Sequence, residues 1–285
     1  MKKNPDKTGF FFALCDKIAI KSSDTGGRKM RICGFNKTTL LDYPGKVAST
    51  IFLGGCNFRC PFCQNSVLVL EPGQQPDYSQ EEILAFLKKR KGILDGVCVS
   101  GGEPTLAEKL EEFLHKIKEL GYEIKLDTNG SRPEIVRKLA EEGLIDKVAM
   151  DIKACLDNYS VLTGVSDPDM DKICETVDML IHGNLNLDYE FRTTVVRELH
   201  TQKDFEEIAE WLKGAKEYYL QAYKDSEGVL KPGFGSYSRG ELEGFCKVLR
   251  ENIQSDHLIC GNQGHRLSYT SSRPWLAEVR CKYSL

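Results

Sequence analysis

Gly54–Gly55–Cys56–Asn57–Phe58–Arg59–Cys60–Pro61–Phe62–Cys63–Gln64–Asn65 is the stretch around which the rest of the chain is organised. It sets three cysteines at CxxxCxxC spacing directly after Val47 to Phe52, a run that reads as a first strand. Three thiolates in one tight loop suit three irons of a [4Fe–4S] cluster, whereas ordinary clusters take four cysteines. Three ligands leave one iron open, much as a catalytic zinc site keeps a position free. The competing reading is a zinc knot or a four-cysteine electron-transfer cluster. No Cys or His lies between Cys63 and Cys98, and Cys98 falls inside an apolar strand pattern where a small buried thiol is the ordinary reading. Ligand count and spacing therefore favour the open cluster.

Downstream of this loop, strand and helix signals alternate. Gly96 to Ser100, Glu123 to Asp127, Lys147 to Asp151, Asp188 to Val196 and Tyr218 to Ala222 read as further strands. Capping-box pairs Ser79/Glu82 and Thr105/Glu108 open two helices, and Ser131, Pro133 and Glu134 open a third. Further helices are predicted near Met170 to His182, Phe205 to Leu212 and Ser238 to Ile253. About six βαβ units imply a parallel sheet, too few for a closed eight-strand barrel, so the expected class is α/β with an open, partial (β/α)6 barrel. Residues 1–29 read as a poorly ordered extension, 30–253 as the barrel and 254–285 as an irregular tail. The tail carries His257, Cys260, His265 and Cys281, whose spacing matches no common zinc finger.

The strand ends carry the remaining polar motifs. Ser100–Gly101–Gly102–Glu103–Pro104 closes the second strand, Asp127–Thr128–Asn129–Gly130 the third, and Asp151 with Lys153 the fourth. Each alone is a common loop. Together they fall at one edge of the sheet, which in parallel barrels is the active-site edge. Asp127 and Asp151 are expected to approach there, with Lys153, a bound sulfonium or a metal cation between them. Arg192 and Gln221 lie on later strands near the same edge. His115, His182 and His200 are read as structural.

With those residues in view, the chain resembles the radical S-adenosylmethionine superfamily. CxxxCxxC with an aromatic residue, Phe62, before the last cysteine is the superfamily's signature, and SGGEP its second motif. The resemblance implies that Cys56, Cys60 and Cys63 ligate a [4Fe–4S] cluster whose open iron takes the amino and carboxylate groups of S-adenosylmethionine. Phe62 would lie near the adenine, and Gly101, Gly102 and Glu103 near the methionine amino group. Gln64, Asp127, Asn129, Asp151, Lys153 and Arg192 complete the implied cofactor site. Leu41–Asp42–Tyr43–Pro44–Gly45, GCNFRCPFCQN, LDTNG and MDIK resemble the glycyl-radical-enzyme activases, most of all those of anaerobic ribonucleoside-triphosphate reductase. The matching stretch runs from Met30 to Ile253. Gln64 stands where many activases have His. The stretch after Cys63 has no inserted cysteine cluster, so no auxiliary cluster is expected.

The activity so implied is reductive cleavage of S-adenosylmethionine to a 5′-deoxyadenosyl radical, which installs a glycyl radical on the reductase. A flavodoxin or ferredoxin would be the electron donor. The alternatives are an activase of pyruvate formate-lyase or a related enzyme, a radical enzyme acting on a small molecule, or a non-catalytic iron–sulfur or zinc protein. Composition is compatible with all of these. The chain has 285 residues, 41% hydrophobic and 28% charged, and a net charge of -3 that gives no reason to expect a nucleic acid or an anionic membrane as partner. Eleven cysteines, an odd number, with no export signal read as reduced thiols in the cytoplasm.

Overall fold

The computed structural model describes residues 29–253 and 257–261. Strands are β1 (Ile32–Thr39), β2 (Ala48–Leu53), β3 (Gly96–Gly101), β4 (Glu123–Thr128), β5 (Lys147–Asp151), β6 (Asp188–Val195), β7 (Glu217–Ala222) and β8 (His257–Gly261). Helices are α1 (Ser66–Leu70), α2 (Gln80–Lys89), α3 (Leu110–Glu119), α4 (Pro133–Glu141), α5 (Tyr159–Thr163), α6 (Met170–His182), α7 (Gln202–Trp211) and α8 (Arg239–Ile253). All eight strands form one sheet in chain order, with β1 antiparallel to β2 and every later pair parallel. Among the described residues β1 and β8 are its two edges, so the barrel is partial.

The six expected units are β2 to β7, and the sheet extends past them on both sides. β1 gave a weak signal because it is an edge strand whose Asn36, Lys37 and Thr38 are exposed, which breaks the apolar alternation. β8 lies in the stretch read as an irregular tail. It pairs with β7 from His257 to Gly261, carrying the sheet beyond the boundary expected at residue 253. A five-residue strand added to an existing edge needs little sequence signal of its own, since the template supplies its hydrogen bonds. His265 and Cys281 of the considered zinc set lie outside the described residues.

The core forms between the sheet and the helices. Val97, Val99, Ile124, Leu126, Val148, Met150, Tyr189 and Phe191 are buried on alternate strand positions, in one cluster with Phe113, Leu114, Ile117, Val136, Leu139, Ile173, Val177 and Ile208. Ser79 caps α2 in a reciprocal box with Glu82, as read from sequence. The Thr105/Glu108 box does not form. Thr105 sits in a 3-10 turn, Pro104–Leu106, with its amide and hydroxyl both bonded to Glu103, and α3 starts later, at Leu110. Cys33, Cys98, Cys155 and Cys174 are free thiols, whereas Cys246 is disulfide-bonded, a departure from the reduced state expected throughout.

Candidate active site

The three cysteines follow β2 in a loop without regular structure, and backbone hydrogen bonds from its neighbours hold it. Gly55 N donates to Leu68 O at 2.8 Å, Arg59 N to Thr163 O at 2.7 Å and Cys63 N to Cys60 O at 3.0 Å. Leu230 N donates to Cys63 O at 2.9 Å, Lys231 N to Pro61 O at 2.8 Å, and Ser66 Oγ to Gly228 O at 2.8 Å. The segment after β7 thus straps the loop down, a contact with no local sequence signal. Arg59 Nη1 adds bonds to Cys56 O and Phe58 O at 2.9 and 2.7 Å, and Phe58 N points at Cys56 Sγ, 3.3 Å away.

Gly101 and Gly102 lock β3 to this loop. Gly101 has φ +124°, and a Cβ there would lie 2.2 Å from Leu53 O; a Cβ on Gly102 would lie 1.9 Å from Gly55 O. Only glycine fits so close a backbone approach. Gly102 N donates to Leu53 O at 2.9 Å and Glu103 N to Gly55 O at 2.8 Å. The Glu103 side chain turns away from the cavity. It is 1% exposed and accepts from Thr105 N, Thr105 Oγ1, Thr128 Oγ1 and Asn129 N at 3.1, 2.6, 2.8 and 2.6 Å. Burial raises its pKa despite these four bonds. Glu103 therefore joins the ends of β3 and β4. Asn129 Nδ2 in turn donates to Asn57 Oδ1 at 2.8 Å, and Asn57 Nδ2 to Ser131 Oγ at 2.9 Å, which ties the DTNG turn to the cysteine loop.

On β4 to β6 the inward positions carry charge. Lys125, 1% exposed, pairs with Asp127 and lies 3.9 Å from Glu190. Arg192 reaches Asp127 Oδ2 at 3.4 Å through Nη1 and Asp151 Oδ1 at 2.9 Å through Nη2. Lys153 Nζ takes Asp151 Oδ2 at 2.9 Å. The two aspartates do approach each other, but the guanidinium of Arg192 fills the space between them. The metal cation considered there is not needed to balance their charge. Burial alone would raise the Asp151 carboxyl; Arg192 and Lys153 outweigh it and hold it at about 2. Asp127 is likewise lowered, its burial overcome by Arg192 and Lys125.

These elements line one cavity of about 610 Å³. Its walls include Cys56, Cys60, Cys63, Phe62, Gln64, Gly101, Gly102, Asp127, Asn129, Asp151, Lys153, Arg192 and Gln221, but not Glu103. Of the sequence-predicted site residues, only Glu103 is thus set behind the wall. His200 is structural, as read: fully buried, it accepts from Val196 N through Nδ1, contacts Lys153 O through Nε2, and packs edge-on to Phe62 at 6.2 Å. Asn57, Asn65, Lys125 and Glu190 were missed. Asn65 Nδ2 donates to Gly101 O at 3.1 Å. Lys125 and Glu190 had a usable signal, a polar residue two before Asp127 and two before Arg192, on the same strand face.

The thiols fit a cluster by their chemistry. Burial pushes Cys56 and Cys60 up to about 12 and raises Cys63, so as thiolates they need a positive partner, which iron supplies. None of the other free cysteines among the described residues lines the cavity. The wall also offers paired acidic and basic groups beside an aromatic ring, suited to a zwitterionic amino acid joined to a nucleoside. In the exposed cluster of Glu111, His115 and Glu142, Lys138 already pairs with Glu111 and lies 3.9 Å from Glu142, an ordinary surface ion pair.

Residues 50–216 match the family model described as the radical SAM superfamily. A Methanocaldococcus jannaschii protein named for glycyl-radical enzyme activation is 33% identical over 206 residues, 70% of this chain and 82% of its own. A Saccharolobus solfataricus protein named for GTP 3′,8-cyclase activity is 35% identical over 134 residues; the match takes in 46% of this chain and 42% of that protein, under half its length. The crystal structure of a radical SAM methyltransferase from Sphaerobacter thermophilus superposes with a TM-score of 0.60 at 18% identity, over 77% of this chain and 67% of that one, which speaks to the fold alone. Among the described residues no helix is long and apolar enough to cross a membrane.

Proposed function

The chain belongs to the radical SAM superfamily, and we propose that it is a glycyl-radical-enzyme activase whose target is anaerobic ribonucleoside-triphosphate reductase. The observation that carries this reading is the similarity to a relative named for such activation, which spans 82% of that relative's length. The LDYPG, GCNFRCPFCQN and MDIK strings support the reductase as target, although pyruvate formate-lyase activases share most of them. When bound, a [4Fe–4S] cluster and S-adenosylmethionine supply reductive cleavage of the sulfonium and a 5′-deoxyadenosyl radical that takes hydrogen from a glycine Cα.

The chain's own residues bind, orient and exclude water. Cys56, Cys60 and Cys63 hold three irons. Lys153 and Arg192 present positive charge to a carboxylate, and Asp127 and Asp151 present negative charge to an ammonium group. Phe62, 5% exposed and backed by His200, offers its ring to the adenine and keeps water from the thiolates. Asn129 and Gly102 fix the wall beside Cys56, while Glu103 positions both. Gln64 caps the outer side, its Nε2 on Lys224 O at 2.9 Å. A flavodoxin or ferredoxin is the proposed electron donor.

The test is anaerobic reconstitution with iron, sulfide, S-adenosylmethionine, reductant and the reductase. A glycyl radical signal in electron paramagnetic resonance is expected; an intact cluster that yields no such signal would overturn the reading. A second reading, a radical enzyme acting on a small molecule, is favoured by the partial similarity to the cyclase. It requires product formation without any protein partner.

A further inference from the structure

In parallel barrels the inward positions beneath the ligand are ordinarily filled by branched apolar residues. Here they carry a ladder of alternating charge. Arg192 Nη1 lies 3.4 Å from Asp127 Oδ2, and Lys125 Nζ donates to Asp127 Oδ1. The same Nζ lies 3.9 Å from Glu190 Oε1. Lys147 Nζ follows, 3.0 Å from Glu190 Oε2 and 3.0 Å from Glu217 Oε2, to which Tyr219 OH donates at 3.2 Å. Lys147 and Glu217 are the first residues of β5 and β7, so the ladder runs from the ligand wall to the opposite mouth of the barrel. Stability does not account for it, since apolar residues of similar volume serve a core at least as well as buried ion pairs.

The register shows what the ladder does at its upper end. Asp127 and Glu190 both lie opposite Ala149, one on each side of β5. A methyl group is all that stands between the two carboxylates on that row, and the Lys125 ammonium reaches toward both. Lys125 is 1% exposed and Glu190 4%, so neither can swing out to water. Burial alone would lower the pKa of the Lys125 ammonium; its acidic neighbours, Asp127 foremost, outweigh this and raise it. Each oxygen of Asp127 thus has its own cation, Lys125 on Oδ1 and Arg192 on Oδ2. A carboxylate held at both oxygens has one orientation.

We propose that Lys125 is a positioning residue for S-adenosylmethionine: braced by Glu190, it fixes the Asp127 carboxylate, and Arg192 through it, in the orientation that takes the amino-acid end of the ligand. This rests on the S-adenosylmethionine reading of the cavity and is independent of which protein receives the radical. The Lys125 ammonium is turned to the two carboxylates, so it acts through Asp127.

The experiment uses the reconstituted holoenzyme. The double variant Lys125→Met/Glu190→Gln removes one positive and one negative charge, and it leaves Asp127 paired with Arg192 and Lys147 with Glu217. The Kd for S-adenosylmethionine, measured by calorimetry without reductant, should rise about tenfold, the scale of one charge-assisted hydrogen bond. The saturated rate of 5′-deoxyadenosine formation should fall less than about twofold, because the loss is in ground-state binding. The melting temperature of the metal-free chain should stay within about 4 °C. Glu190→Gln alone removes the brace and keeps Lys125, and should raise Kd about threefold. An unchanged Kd in either variant overturns the proposal and leaves the S-adenosylmethionine reading standing. A melting temperature lowered further, or a saturated rate that falls as much as Kd rises, marks the ladder as structural and also overturns it. Absence of S-adenosylmethionine binding by the unaltered holoenzyme overturns the reading of the cavity, and the proposal with it.

Discussion

The cysteine loop and the charged wall of β4 to β6 face each other across one cavity and are held in opposite ways. The loop is irregular, and it keeps its shape through backbone bonds from α1, α5 and the segment after β7. The wall is regular, and its side chains keep their places by pairing with one another along and across strands. Where a loop side chain makes no shaping bond, as at Cys60, it can therefore be lost with little effect on shape. In the wall, removing one charge strands another. The loop separates chemistry from stability, and the wall joins them.

The sharpest way to break this contrast is in the loop. Cys60→Ala removes one proposed iron ligand and no bond that shapes the loop, since Cys60 contributes its carbonyl to Cys63 N. Cleavage of S-adenosylmethionine is expected to vanish, as judged by 5′-deoxyadenosine yield, with the melting temperature of the metal-free chain nearly unchanged. Retained cleavage would remove Cys60 from the ligand set.

In the wall, Arg192→Met should do the reverse and cost both. It leaves Asp127 and Asp151 facing each other without their shared cation. Breaking a buried pair costs about 3–5 kcal/mol, and partial exposure of Asp151 places this one toward the lower figure. The pH dependence follows the sign of the shift. Asp151 sits at about 2 in the folded chain, below its ordinary value of about 3.9 when unfolded. Its contribution is complete above that ordinary value and is lost as pH falls through the folded one. Without Arg192 the carboxyl rises, and acid unfolding monitored by circular dichroism should begin at higher pH. An unchanged acid midpoint would show that Lys153 alone suffices.

Glu103 sits between these cases, a buried side chain that holds the loop's neighbours. Glu103→Gln places an amide nitrogen against either Asn129 N or the Thr105 and Thr128 donors. One mismatched buried donor costs about 1–3 kcal/mol. Cleavage should fall in step with stability, because Asn129 loses its place beside Asn57. A cleavage defect with an unchanged melting temperature would instead mean that Glu103 meets the cofactor directly.

What could be read from sequence divides along the same line. The cysteines, GGEP, DTNG and DIK are local strings, and a parallel sheet collects strand ends at one edge, so their convergence was legible. Strands β2 to β7 were legible because their periodicity is local too. The place of Glu103 was not, since its four donors come from two loops and burial decides which way the side chain turns. Nor was the bridging role of Arg192, because Asp127, Asp151 and Arg192 sit on three strands and only side-chain reach shows which cation fills the gap. The strap over the cysteines was hidden for the same reason. Its bonds are mostly backbone to backbone across more than 160 residues, as from Leu230 N to Cys63 O and from Lys231 N to Pro61 O, and carry no residue preference.

That strap supplies the smallest effect and the finest test of the contrast. Gln64 lies in the cysteine loop where a role for the side chain is easily assumed, yet it is exposed and makes one bond, Nε2 to Lys224 O. The bonds from Leu230 N to Cys63 O and from Lys231 N to Pro61 O hold the same stretch without it. Gln64→Ala should therefore cost under about 1 kcal/mol and leave cleavage within about twofold, since an exposed hydrogen bond is nearly repaid by water. Gly228→Val acts on the strap itself, because a Cβ there would lie 2.9 Å from Gln64 O. It should loosen the loop and lower iron retention on gel filtration, although no ligand is touched. If Gln64→Ala loses iron and Gly228→Val does not, the loop is held by its side chains after all, and the contrast with the charged wall fails at its base.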